Sequence, residues 1–144
     1  MPARAINTVR IVETEGQEPL VSGGVSIAAV ESETKSQDFV LPATLHLQGA
    51  HISWCGCKPG DYAYVEILAP DDTFVAGYNL QAGNPGANRG YWQLVGDSSV
   101  LIWNQNSVTA PIPVGFKLRA HLVTTAEAGS RCMAVNFLVR LPLE

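Results

Sequence analysis

Charge is what this 144-residue chain has least of: Asp, Glu, Lys and Arg together make up 15% of it, against roughly a quarter in ordinary soluble domains. The nine Lys and Arg are scattered singly and the net charge is −4, so no basic stripe exists to follow a phosphate backbone, and nucleic acid is excluded as a partner. Long apolar runs are missing as well. Nothing approaches the ~20 residues of a membrane-spanning helix, and Met1-Pro2-Ala3-Arg4-Ala5 lacks the apolar core of a signal peptide, so no membrane partner and folding in a cytoplasm are expected. The three cysteines, Cys55, Cys57 and Cys132, are an odd number. Cys55 and Cys57 lie too close along a strand for an unstrained bridge, which makes reduced thiols the plain expectation. A thiolate metal site using these three and His51 would need the C-x₂₋₄-C knuckles the chain does not have, so no metal and no cofactor are expected.

A sustained 3.6-residue apolar period is absent too, while 13 Gly and 9 Pro punctuate the chain at short intervals. Helix is therefore a minor component. What is present is alternation. In Phe116-Lys117-Leu118-Arg119-Ala120-His121-Leu122 every second residue is apolar, the pattern of a strand with one buried and one wet face, and 132–141 follows as an apolar partner. The two read as a closing hairpin. Further strands are expected at 5–12, 24–30, 39–41, 44–54, 62–69, 74–80, 90–94 and 99–103. Within 44–54 the apolar parity changes from Leu45 and Leu47 to Ala50, Ile52 and Trp54, which predicts a bulge at Gly49. Strands 62–68 and 74–80 form a meander across the turn Ala69-Pro70-Asp71-Asp72-Thr73. The polar stretches 13–19 and 31–38 read as connections, and 81–89 as an exposed loop tip. The fold class is all-β: an antiparallel β-sandwich of jelly-roll type with eight to ten short strands, forming a single domain over 1–144, with 1–20 as an extended N-terminal arm.

There is no G-x-S-x-G, H-E-x-x-H, phosphate loop or G-x-G-x-x-G, and a non-enzymatic protein is expected. His46 and His51 lie five apart on one strand with a bulge between them, and His121 alternates with Lys117 and Arg119 as a surface residue. Glu66 shares the parity of Tyr62 and Tyr64, while Asp71, Asp72, Asp97 and Glu127 fall in turns. Trp54, Tyr62, Tyr64, Tyr78, Tyr91, Trp92 and Trp103 cluster in the middle of the chain; they can serve as core, as interface anchors or as platforms for sugar rings.

With Gly60-Asp61-Tyr62-Ala63-Tyr64-Val65-Glu66-Ile67, then Pro113-Val114-Gly115-Phe116-Lys117-Leu118-Arg119 and the apolar closing strand, residues 54–141 resemble the small jelly-roll cement, or decoration, proteins of tailed-bacteriophage capsids. The resemblance lies in style, without a diagnostic motif. It implies a non-catalytic virion structural protein, made in the host cytoplasm, that sits on the outer surface of the phage head. There it would bridge subunits of the major capsid protein and stabilise the shell, associating with itself as a homodimer or homotrimer. Extended segments add readily to a partner's sheet edge. On that basis the expected partner-binding residues are Arg4, Ile6, Val9 and Ile11 in the arm, Asn84, Asn88 and Arg89 in the loop, and Trp92. Two other readings compete: a carbohydrate- or receptor-binding module, lectin-like or tail-associated, that stacks sugars on Trp54, Trp92 or Trp103, and a cupin-like metalloenzyme or small hydrolase built on His46, His51 and Glu66.

Overall fold

A computed structural model of the chain describes residues 9–12, 20–78, 91–103 and 111–141, with side chains omitted at 9–12, 20–22, 78, 91, 102 and 103. Eight strands follow in order: β1 (Val9–Val12), β2 (Leu20–Ala29), β3 (Thr34–Val40), β4 (His46–Leu68), β5 (Phe74–Tyr78), β6 (Tyr91–Trp103), β7 (Lys117–Val123) and β8 (Arg131–Arg140). All pairings are antiparallel. No helix long and apolar enough to cross a membrane occurs among the described residues.

The 23-residue β4 organises the molecule. Its first part pairs with β8 from His46↔Arg140 to Cys55↔Cys132, and its second part pairs with β7 from Tyr62↔Val123 to Leu68↔Lys117. β8 continues to β2 and β1, whereas β7 continues to β3. On the other side of β4 lie β6 and, opposite residues 65–68, β5. The result is two layers, β1-β2-β8-β4-β6 and β3-β7-β4-β5, in which long bent strands pass from one layer to the other and nearly close a barrel. This pairing order is that of a jelly roll.

Alternation explains the layers. Along β8 burial alternates strictly from Arg131 to Phe137, placing Met133, Val135, Phe137 and Val139 in the core, and β7 contributes Leu118, Ala120 and Leu122 from the opposite sheet. Phe39 of β3 stacks on Phe137 of β8 across the interior, with ring centroids 5.9 Å apart. The bulge at Gly49 is present: the register against β8 slips between Leu47 and Gly49, and burial changes parity there, so Leu45, Leu47, Ala50 and Ile52 all face inward.

Several expectations are corrected. β7 and β8 do not form a closing hairpin; they do not pair with each other but with different parts of β4, in different layers, and residues 124–130 carry the chain between the layers. Residues 31–38, read as a connection, contain most of β3, whose polarity suits a strand bonded on one side to β7 and largely exposed. The segments 44–54 and 62–69 are one strand, as are 90–94 and 99–103; their Gly, Pro and Asp residues mark corners within strands rather than ends.

Those corners are fixed by one buried ion pair. Asp61 and Arg131 occupy core-facing parity at the start of their runs, with both side chains fully buried and Arg131 Nε donating to Asp61 Oδ2 at 3.0 Å. The same carboxylate accepts the backbone N–H groups of Lys58 and Thr125, each at 2.8 Å. Arg131 Nη1 donates to the Gly129 carbonyl at 2.6 Å. Beside it Thr124 Oγ1 donates to the Val30 carbonyl and accepts the Glu33 N–H, tying down the β2–β3 turn. Three sheet-to-sheet crossings, at 30–33, 56–60 and 124–130, are thus tied together through Asp61, Arg131 and Thr124.

Gly56 belongs to this corner. Its φ of +67° lies in the left-handed region, and a Cβ there would collide with the backbone carbonyl of Ser130. Gly96 has the same φ but open space around it. Gly96→Ala should therefore cost only the backbone penalty of about 1–2 kcal/mol, whereas Gly56→Ala should cost clearly more. Urea unfolding of the two variants side by side checks this ordering.

Candidate functional site

The two outer faces of the jelly roll differ in chemistry. On the β2-β8-β4 layer the outward positions include Ser26, Ala28, Ser53, Cys55, Cys132 and Ala134, none of them charged, surrounding a shallow depression of about 580 Å³. Cys55 and Cys132, directly opposite in register, form a disulfide with Cα atoms 5.1 Å apart. This corrects the expectation of reduced thiols. The Cys55-x-Cys57 spacing carries no sign of the bridge, because the partner of Cys55 lies 77 residues away. Cys57 points inward, is free and buried, and burial together with the nearby Asp61 carboxylate pushes its thiol up to about 11.

The outer face of the β3-β7-β4 layer collects the ionic and aromatic side chains. Arg119 of β7 forks onto Asp38 of β3, with Nε–Oδ1 at 2.6 Å and Nη2–Oδ2 at 3.0 Å, and its Nη2 also reaches Asp72 at 3.1 Å. Lys117 meets the same Asp72 at 2.6 Å. The Asp72 carboxyl is held below the usual range, chiefly by its hydrogen bond to Lys117.

Two residues further along β7 lies His121. Its Nδ1 is 2.7 Å from Ser36 Oγ on β3, and its Nε2 is 2.7 Å from Glu66 Oε1 on β4. The cross-strand registers Ser36↔His121 and Tyr64↔His121 line these groups up, and the Tyr64 ring stacks on the imidazole at 4.2 Å and 13°. Tyr62 stacks in turn on Tyr64 at 6.3 Å. With Glu66 ionised and the imidazole neutral, Nε2–H donates to Glu66 and the Nδ1 lone pair is left for the Ser36 hydroxyl. Ser36 is exposed, while His121 and Glu66 are buried.

His121 therefore lies on the expected face of β7 but is not a surface residue, and Glu66 is not a solvated carboxylate. The sequence carried no sign of the Ser36–His121–Glu66 line, because its members are 85 and 55 residues apart. The bulge puts His46 and His51 on one outward face of β4, but Glu66 belongs to the other layer, so the three do not converge. Among the described residues no cluster of three or more His, Cys, Asp or Glu side chains is arranged to hold a metal.

Of the expected partner-binding residues, Val9 and Ile11 lie on β1, whose backbone pairs with β2 of the same chain opposite Gly23 and Val21. Trp92 is half-buried and packs against the core. Arg4, Ile6, Asn84, Asn88 and Arg89 fall outside the described residues. Of the tryptophans considered as sugar platforms, Trp54 is buried at 8% exposure and its indole N–H donates to the Val95 carbonyl, so it offers no free face. Trp103 lies on β6 beside Gly49 of β4.

No family model matches the chain, and no curated protein does. Solved structures align with the chain at low identity and with TM-scores below 0.5. A CocE/NonD family hydrolase from Staphylococcus aureus is 11% identical with a TM-score of 0.48, covering 94% of this chain and 36% of its own. The VP2 subviral particle of infectious bursal disease virus is 14% identical with a TM-score of 0.47, covering 98% and 37%. The BFDV capsid protein is 10% identical with a TM-score of 0.42, covering 98% of each chain. The chain spans little more than a third of the first two, and likenesses at these levels carry no argument about fold or function.

Proposed function

We propose that this protein is a virion structural module, a cement or decoration protein that binds the outer surface of a tailed-phage head and bridges major capsid protein subunits. The observation that carries the reading is the asymmetry of the two outer faces. One carries a shallow depression built of small residues and free of charge around Ser26, Ala28, Ser53 and Ala134. Such a face loses little hydration when a subunit covers it, and contacts repeated over many copies add up through multivalency. In this reading the protein is made in the host cytoplasm, associates with itself as a dimer or trimer, and adds to the shell from outside. The Cys55–Cys132 bridge suits a protein that ends in an oxidising exterior.

The test is to mix purified protein, sized by light scattering, with undecorated phage capsids and image the particles. Regular added density at lattice positions is the expected result; a monomer that ignores capsids would sink the proposal. The arm is tested in the same assay, where deletion of residues 1–18 is expected to abolish particle binding.

A second reading has its own support in the half-exposed Tyr62–Tyr64 stack, on the same outer face as Asp38 and Arg119, a combination of ring and hydrogen-bonding groups suited to a sugar. A glycan array separates the two, since a cement protein should show no sugar preference.

A further inference from the structure

We propose that Ser36, His121 and Glu66 form a hydrolytic site that cleaves short-chain carboxylic esters through a seryl intermediate, an activity separate from the structural role above. A hydroxyl, an imidazole and a carboxylate in unbroken hydrogen-bond contact, at 2.7 Å and 2.7 Å, meet the geometric requirement for an activated nucleophile: a base within reach, itself oriented by a third group. The burial follows the same order. The would-be nucleophile is exposed, whereas the base and the group that orients it are buried. The Tyr64 ring, nearly parallel to the imidazole at 4.2 Å, holds its plane. The serine meets Nδ1 rather than Nε2, and either in-plane lone pair can take the proton once the other nitrogen is held as N–H by Glu66.

An approach for the ester exists beside the hydroxyl. Ser36, Gln37, Asp38 and Arg119 line an open depression of about 450 Å³. Arg119 is the neighbouring residue on the same face of β7, and its bonds to Asp38 and Asp72 use Nε and Nη2. A fixed guanidinium at the edge of the depression supplies positive charge for the carbonyl oxygen as it becomes an oxyanion, the role backbone N–H groups play elsewhere. The polar lining favours an ester whose alcohol portion is hydroxylated.

The chemistry closes without a cofactor. Ser36 Oγ adds to the ester carbonyl carbon as its proton passes to His121 Nδ1. The carbon–oxygen bond to the alcohol breaks, and the departing alkoxide takes that proton. Water then adds to the acyl carbon, giving a proton to His121, and Ser36 Oγ leaves as the carboxylic acid forms and recovers the proton. His121 is the base and Ser36 the nucleophile; Glu66 is a positioning residue.

The experiment uses the full chain treated with a fluorophosphonate, followed by intact-mass measurement and peptide mapping, with hydrolysis of p-nitrophenyl acetate followed in parallel. A stoichiometric adduct on Ser36 is expected, together with a loss of about 100-fold or more in esterase rate for Ser36→Ala. Ser36 is exposed on a strand bonded to β7, so the variant should keep the wild-type thermal midpoint, which separates loss of chemistry from loss of fold. Glu66→Gln should slow labelling of an unchanged Ser36 and, in ester hydrolysis, lower kcat more than it alters KM. The proposal is overturned if the folded protein takes no adduct, or if the adduct or the esterase rate persists in Ser36→Ala.

Discussion

Replacing Arg131 with methionine is expected to lower the thermal midpoint by roughly 10–15 °C, a large effect for one substitution in a chain of this size. The reason is what remains: Asp61 would stay in the interior, its charge no longer compensated, at the point where three sheet-to-sheet crossings meet. Asp61→Asn combined with Arg131→Met should recover part of the loss, because the amide oxygen can still accept a backbone N–H and no buried charge is left. pH provides a second measurement. Burial on its own would raise the Asp61 carboxyl, but its hydrogen bonds to Arg131 and to the N–H groups of Lys58 and Thr125 outweigh that and hold it below its ordinary value. A carboxylate with a depressed folded pKa stabilises the fold above its unfolded pKa, near 4, and that stabilisation is lost as pH falls through the folded value. Wild-type protein should thus lose this contribution only in acid, whereas the deficit of the Arg131→Met variant should be largest near neutral pH and narrow in acid, where the uncompensated Asp61 takes up a proton. Thermal scans from pH 3 to 7 check both statements. If Arg131→Met unfolds within a degree or two of wild type across that range, the ion pair does not hold the corner.

Reduction of the Cys55–Cys132 bridge is the second large effect. The bridge closes a loop with a sequence separation of 77, for which chain-entropy arguments give about 4–5 kcal/mol of stabilisation. Both cysteines are exposed, so a mild reductant can reach them in the folded protein. A fall in the urea midpoint on adding reductant, matched by the Cys55→Ser/Cys132→Ser variant without reductant, is the expected result. Thiol counting gives an independent check. Oxidised protein should titrate one thiol, Cys57, and only after unfolding, because that thiol is buried and its pKa of about 11 leaves almost no thiolate at neutral pH. Three thiols titrating in native, untreated protein would show that the bridge is not formed.

The sequence reading succeeded wherever a residue's fate depends on its near neighbours. Period-two alternation in 116–122 placed the core face of β7, the apolar run 132–141 marked β8 as a strand, and the parity change around Gly49 located the bulge before any pairing was known. Turn chemistry at Pro70, Asp71 and Asp72 correctly joined β4 to β5. It failed where the same local signals have two outcomes. Gly56, Pro59 and Gly60 look alike whether a strand ends there or bends into the other layer, and adjacent alternating strands look alike whether they pair with each other or with distant partners. Asp61 and Arg131 did carry a readable sign, since each is in phase with the buried residues that follow it. A charge in core phase, however, has meaning only once its counter-charge is found, and that lies 70 residues away.

All-β composition, the inward faces of β7 and of the first part of β4, and the low content of charge were thus determined by the sequence alone, because they rest on hydrophobic periodicity and composition, which act locally. Which strands are neighbours was decided only in three dimensions. That choice joined Cys55 to Cys132, buried His121 between Ser36 and Glu66, and separated His51 from Glu66. Antiparallel register is a global agreement among segments far apart in the chain, fixed by the shared core and by the Asp61–Arg131 corner, and no local stretch of residues encodes it.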